Sequence, residues 1–198
     1  MTKIKEILIG TNNNGKYKEI SDLLPKNIKR YSPIDFNLKS PDEDGKTFRD
    51  NSLIKAAYFS KKTNLICISD DSGLEIDLLD GKPGIHSARW GGLESNFDLA
   101  IKKVFYEIEK IKKNWTQNEI KARFVCSLTI YWPEGKNHTC QGIINGTISE
   151  RAKGTKGFGY DPIFIPDGFK NTFGEMDIEK KMSLDHRSKA YNQIKKFI

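Results

Sequence analysis

A chain of 198 residues with 37% hydrophobic and 11% aromatic side chains is long enough to bury one sizeable core, which excludes a disordered polymer. A formal net charge of +7 and a pI near 9.2 favour an acidic partner such as a nucleotide, a nucleic acid or a phosphate surface. The lysines are spread along the chain, so no basic tail accounts for that charge. Cys67, Cys126 and Cys140 form no C-x-x-C pair, and their odd number fits reduced thiols in the cytoplasm. No apolar stretch approaches the ~20 residues that span a bilayer. Residues 1–5 run directly into an apolar strand with no signal-peptide pattern, so a cytoplasmic location is expected.

In chain order, residues 3–10 (KIKEILIG) read as a strand, residues 11–15 as a loop, and residues 16–24 as a helix stopped by Pro25. Residues 27–31 suggest a second strand. A polar stretch then ends in Pro41-Asp42-Glu43-Asp44-Gly45, and Thr47 is an N-cap for a helix through Lys62. Phe48, Leu53, Ala56, Ala57 and Phe59 are its expected inward face. Leu65 to Ile68 form a short apolar run of the buried-strand type. It is expected to end at Ser69-Asp70-Asp71-Ser72, with Gly73 turning the backbone away.

Further on, Leu74 to Leu79 and a glycine-rich loop precede an amphipathic helix over residues 97–113. Leu99, Ile101, Val104, Phe105, Ile108 and Ile111 carry its apolar spacing. Residues 122–149 alternate with period two around a Pro133–Lys136 turn, which predicts a hairpin. A second glycine-rich loop spans residues 153–160, and a charged helical segment closes the chain. No repeat or long linker divides it. The expected architecture is one mixed α/β domain over residues 1–198.

Two adjacent carboxylates at the end of an apolar strand are costly unless something uses them, and a hard cation such as Mg2+ takes oxygen ligands of this kind. Residues 10–16 satisfy G-x-x-x-x-G-K between a strand and a helix, the setting of a phosphate-binding P-loop. Tyr17 stands where such a loop needs a Ser or Thr, and three asparagines replace its glycines. A helix N-terminus with one lysine and several amides remains a phosphate cradle. Asp42 to Gly45 and Lys55 read alone as a solvated turn and a surface lysine, or together with Asp71 as further groups for a metal and phosphates. Residues 156–162 combine glycines, Phe158, Tyr160 and Asp161, suited either to a turn over core aromatics or to stacking on a base. Lys181, His186 and Arg187 offer donors, and Arg187 has the rigid fork best suited to a base edge. His86 and His138 have no metal-ligand spacing around them. Neither a Cys/His zinc site nor a Ser/His/Asp arrangement can be proposed from spacing.

Taken in order, these segments resemble the Ham1-like, or inosine triphosphate pyrophosphatase, family of house-cleaning enzymes. The resemblance rests on T-x-N-x-x-K over residues 11–16 with Glu19, and on E-D-G-x-T-F-x-x-N from Glu43 with Lys55. It continues through S-D-D-S-G-L-E-I-D with P-G-I-H-S-A-R-W, then K-G-F-G-Y-D-P-I-F, then E-K-K-M-S-x-D-H-R. Asp185 stands where Ser is usual, and Asp44 where Thr is common. The resemblance implies an elongated mixed sheet flanked by helices, two lobes around a central nucleotide cleft, and a homodimer. It also implies Mg2+-dependent hydrolysis of non-standard purine triphosphates (ITP, dITP, XTP) to the monophosphate and pyrophosphate.

Carried over by position, Thr11, Asn12, Asn13, Asn14, Gly15 and Lys16 would hold the triphosphate with Lys55. Glu43 and Asp71 would serve the metal, with Asp71 as proton acceptor. Ser72, Phe158, Gly159, Tyr160, Asp161, Lys181, His186 and Arg187 would bind substrate. No stable nucleic-acid or membrane partner is expected. One rival is a P-loop ATPase or kinase, which would release orthophosphate or transfer a phosphoryl group. Another is a nucleic-acid-binding domain with steeply salt-dependent affinity, which leaves Asp70-Asp71 unexplained.

Overall fold

The computed structural model of the chain describes residues 4–92 and 96–198. Six strands form one mixed sheet: β1 (Glu6–Ile9), β2 (Lys29–Tyr31), β3 (Cys67–Ile76), β4 (Lys121–Tyr131), β5 (Asn137–Ile148) and β6 (Phe164–Pro166), in the order β2-β1-β3-β4-β5-β6. The helices are α1 (Asn14–Leu23), α2 (Phe48–Thr63), α3 (Phe97–Ile111), α4 (Ile178–Met182) and α5 (His186–Ile194). No helix among the described residues is long and apolar enough to cross a membrane. The chain divides into two compact units. The first holds the residues up to Asp71 with Cys126–Gly142 and His186–Ile198, and the second holds Ser72–Val125 and Ile143–Asp185.

In the first unit β1 pairs in parallel with both β2 and β3, with Leu8 opposite Tyr31 on one side and Cys67 on the other. Parallel neighbours need a crossover, and α1 and α2 supply it. Strand alternation then sorts the side chains. Ile7, Ile9, Ile68, Cys126, Leu128 and Ile130 join Ile20 of α1 and Ala190, Tyr191 and Ile194 of α5 in one core. Leu8 and Cys67 point the other way and pack with Ala56 and Phe59 of α2. The face of α2 towards β4 is partly polar: the Ser52 hydroxyl lies 3.1 Å from that of Ser127 and 2.8 Å from that of Thr129. The Thr47 cap is present as a reciprocal box with Asp50.

The second unit has its own core, in which Leu74, Ile76, Val104, Ile108, Phe124, Ile163, Phe164 and Phe173 are buried. The expected inward face of α3 holds for Ile101, Val104 and Ile108. Leu99 and Ile111 are exposed instead. At 3.6 residues per turn Leu99 lies on the far side from Ile101, and Ile111 falls in the last turn. The hairpin is β4 and β5, closed by a hydrogen bond from the Trp132 amide to the Lys136 carbonyl at 2.9 Å.

The central strand departs from the sequence reading. β3 does not stop at Ser69 but continues unbroken through Asp70, Asp71 and Gly73 to Ile76. Gly73 makes no turn. A Cβ there would lie 2.3 Å from the Ser87 hydroxyl and 2.5 Å from the Gly84 carbonyl, so glycine is required for close approach of the segment Gly84–Arg89. Ser87 fills that space, accepting from the Leu74 amide at 2.9 Å and donating to Gly84 at 2.7 Å. Gly73→Ala is therefore expected to destabilise the protein by about 1–3 kcal/mol, the range for overpacking. Urea unfolding measures it, and an unchanged midpoint would contradict the packing argument.

Candidate active site

The ends of β1 and β3 are clamped together. The Gly10 amide donates to Ile68 at 2.8 Å, and the Ser69 hydroxyl donates back to the Gly10 carbonyl at 2.6 Å. A Cβ on Gly10 would lie 2.7 Å from the Cys67 sulfur and 2.9 Å from the Phe59 ring. This glycine therefore serves strand packing, which removes a key element of the P-loop reading. Beyond it, the Asn13 side chain accepts from the Lys16 amide at 3.0 Å and caps α1. Helix α1 thus begins at Asn14, two residues before the predicted start. Thr11 is buried and accepts from the Asn13 amide at 3.2 Å, while the exposed Asn12 donates to Ser40 at 3.2 Å. Asn14 is exposed and Gly15 half-buried in the first turn.

Just past these clamps the strand carries Asp70 and Asp71, both buried. Alternation sends them to opposite faces of the sheet. Asp70 meets α5, where Arg187 Nη2 donates to its Oδ2 at 2.9 Å. The other amino group of Arg187 pairs with Glu19 of α1. Asp71 meets α2, where Asn51 Nδ2 donates to its Oδ2 at 3.1 Å and Lys55 Nζ lies 3.7 Å from its Oδ1. Lys16 reaches both residues, 3.4 Å from Asp70 Oδ2 and 4.0 Å from Asp71 Oδ1. Lys55 also donates to Glu43 Oε2 at 2.9 Å. Four carboxylates thus gather around three cations.

The electrostatics separate the two aspartates. Burial alone would raise Asp70, but Lys16, Arg187 and Lys55 outweigh it and hold the carboxyl far below its usual range. Burial also dominates at Asp71, where Lys55 and Lys16 pull down and Glu43 pushes up. The net displacement there is upward. Burial would lower the Lys55 ammonium, yet Asp71, Glu43 and Asp70 together keep it above its usual value. Asp70 is thus held towards the anion, while the Asp71 carboxyl is displaced towards its protonated form.

No group of three or more His, Cys, Asp or Glu side chains arranged for a metal ion is present among the described residues. Glu43 and Asp71 nevertheless share one ammonium, so two carboxylate oxygens already converge. That donor set fits a cation which takes one or two carboxylates and completes its shell with water and phosphate oxygens.

The remaining expected substrate residues lie in the second unit. Ser72 follows Asp71 on β3 and is half-buried. The Asp161 Oδ2 accepts from the Phe158 amide at 2.8 Å and from Lys181 Nζ at 2.5 Å. Lys181 sits 5.0 Å from the centre of the Phe158 ring. Gly157 has φ of +75°, and a Cβ there would lie 2.0 Å from Asp161 Oδ2, so only glycine lets the loop close over that carboxylate. Tyr160 donates to the Ser87 carbonyl at 2.9 Å and meets the Phe97 ring edge-on, and burial raises its phenol.

Two placements differ from expectation. Arg187, expected to turn its fork to a base edge, is 1% exposed and turns it to Glu19 and Asp70. Its neighbour His186 is likewise buried, in the first turn of α5. Asn51 and Glu19 were not singled out as site residues, although both stood inside quoted motifs. The available signal for Asn51 was a poor helix former one turn before Lys55 on the same helical face. Removing Arg187 takes a cation from two buried carboxylates, so Arg187→Ala is expected to cost about 3–5 kcal/mol in stability. Asp70→Asn in the Arg187→Ala background is expected to recover part of that loss in urea unfolding. Additive losses would contradict the pairing.

Residues 7–197 match the sequence profile of the Ham1 family. The dITP/XTP pyrophosphatase of Rhodospirillum centenum is 40% identical over 189 residues, covering 95% of this chain and 92% of that protein. The dITP/XTP pyrophosphatase of Oceanobacillus iheyensis is 39% identical, covering 98% of each. A HAM1 protein structure from Coxiella burnetii superposes with a TM-score of 0.86 at 31% identity, over 98% of both chains. The Staphylococcus aureus Ham1 protein gives 0.82 at 32% identity, over 98% of this chain and 97% of that one. With its motifs, fold and relatives in agreement over nearly its whole length, the chain belongs to the Ham1 family.

Proposed function

We propose that this protein hydrolyses non-standard purine nucleoside triphosphates (dITP, XTP, ITP) to the monophosphate and pyrophosphate. The single observation that carries the reading is the buried Asp71 carboxylate, faced at one oxygen by Lys16 and Lys55. A water bound at that oxygen gives its proton to Asp71 as its oxygen bonds to the α-phosphorus. The bond from that phosphorus to the bridging oxygen breaks, and pyrophosphate leaves. Lys16 and Lys55 are placed to balance the charge that develops on the phosphoryl oxygens. Glu43 and Asp71 would hold Mg2+, which when bound supplies Lewis-acid stabilisation of those oxygens. Residues 11–16 receive phosphate oxygens at the N-terminus of α1. Phe158 to Asp161 and Lys181 are assigned to recognition of the base.

The chain acts, on this reading, as a cytoplasmic homodimer. Residues 85–93 form a stretch rich in apolar and aromatic side chains that would help pair the subunits. Ile85 and Trp90 in it are half-buried, the Lys103 ammonium lies 4.2 Å from the centre of the Trp90 ring, and Leu93 lies outside the described residues.

The test is to incubate the protein with dITP, XTP and ATP plus Mg2+ and identify the phosphate released. Pyrophosphate from dITP and XTP, with little turnover of ATP, is expected; orthophosphate would mean attack at the γ-phosphorus and would contradict the reading. Asp71→Asn is expected to lower kcat by ~10²–10⁴-fold, the usual worth of a general base. Wild-type turnover in that variant would remove Asp71 from the reaction. Activity is expected to vanish on chelation and to return with Mg2+. Light scattering at micromolar concentration tests the dimer, and a monomeric mass would refute it.

A further inference from the structure

Asn51 is completely buried, in the first turns of α2, and its side chain makes two bonds in different directions. Its Oδ1 accepts from the Gly45 amide at 2.9 Å, and its Nδ2 donates to Asp71 Oδ2 at 3.1 Å. The orientation of the amide is settled by its neighbours. A backbone N–H can only donate, so the oxygen must face Gly45, and the NH2 group then faces the carboxylate. Gly45 is shaped to this contact, since a Cβ there would lie 2.6 Å from Asn51 Oδ1. One helical turn later Lys55 repeats the pattern, bridging Glu43 of the same loop and the other oxygen of Asp71.

We infer that Asn51 is a positioning residue for the reaction. It holds Asp71 Oδ2, so that Oδ1 is the oxygen presented to water and phosphate, and it ties that carboxylate to the loop carrying Glu43. This inference rests on the reading of Asp71 as proton acceptor. A carboxylate pinned at one oxygen has lost its freedom to rotate, and sub-ångström placement of a reacting group is where rate is gained. A donor is needed at this point. An acceptor or a void would remove this donor from Oδ2 and let the carboxylate swing towards the lysines.

Two substitutions separate the two bonds. Asn51→Asp keeps an acceptor for the Gly45 amide but in its ionised form cannot donate to Asp71, while Asn51→Ala removes both contacts and adds no charge. Asn51→Ser replaces the alanine variant if that one fails to fold. The readouts are kcat and KM for dITP, together with hydrogen exchange of the Gly45 amide by NMR. Both variants are expected to lower kcat by about 10–10²-fold with KM little changed. Gly45 protection is expected to persist in Asn51→Asp and to disappear in Asn51→Ala.

Loss of kcat in Asn51→Ala alone would make the residue an anchor of the loop and overturn the inference. Loss in Asn51→Asp alone would trace the effect to the added charge and overturn it equally. Unchanged kcat in both variants, beside an active wild type, defeats this inference and leaves the proposed function standing. A wild type that releases no pyrophosphate from dITP defeats both.

Discussion

Everything at this site depends on one backbone constraint: neighbouring residues of a β-strand point to opposite faces. Because β3 continues through Asp70 and Asp71 without a break, the two carboxylates face opposite sides of the sheet, although Lys16 reaches both. One is delivered to the side of the sheet covered by α1 and α5, the other to the side covered by α2. Each helix brings what its carboxylate needs. Helices α1 and α5 bring Lys16 and Arg187 to Asp70, and α2 brings Asn51 and Lys55 to Asp71. Adjacent in sequence and chemically alike, the two residues are displaced in opposite directions, Asp70 towards the anion and Asp71 towards the protonated form, through their surroundings alone. Pairs of carboxylates pushed apart in this way are a recurring signature of acid–base chemistry.

The buried charge explains other features of the first unit. A strand with two aspartates could not be covered by apolar helices, because burying an unpaired charge costs several kcal/mol. Helix α2 accordingly buries Asn51, Ser52 and Lys55 beside Ala56 and Phe59, a mixed face that apolar periodicity alone does not describe. Glu19 and Arg187 do the same between α1 and α5. Elsewhere the overall +7 charge has little to say about the site, since the cluster itself gathers four carboxylates around three cations.

Much of this was legible in the sequence. The first strands, the Thr47-capped helix, the hairpin and the ordered motifs follow from periodicity, capping residues and spacing. What was not legible depends on three-dimensional neighbours. Gly73 reads as a turn because glycine permits one, yet it is present to admit Ser87 and Gly84 from fourteen and eleven residues further on. Arg187 reads as a free fork because nothing in the local sequence shows Glu19 and Asp70 beside it. Gly10 mimics a phosphate-loop glycine although it packs on Cys67. Such errors arise wherever a residue is selected by a contact distant in the chain.

The separation of the two aspartates is the claim on which the rest stands, and carboxyl-carbon NMR titration of the metal-free protein tests it directly. Asp71 is expected to titrate above the ordinary aspartate value of about 4, while Asp70 remains ionised through that range and below it. A shared, ordinary titration of both carboxylates, or the reverse order, would contradict the account.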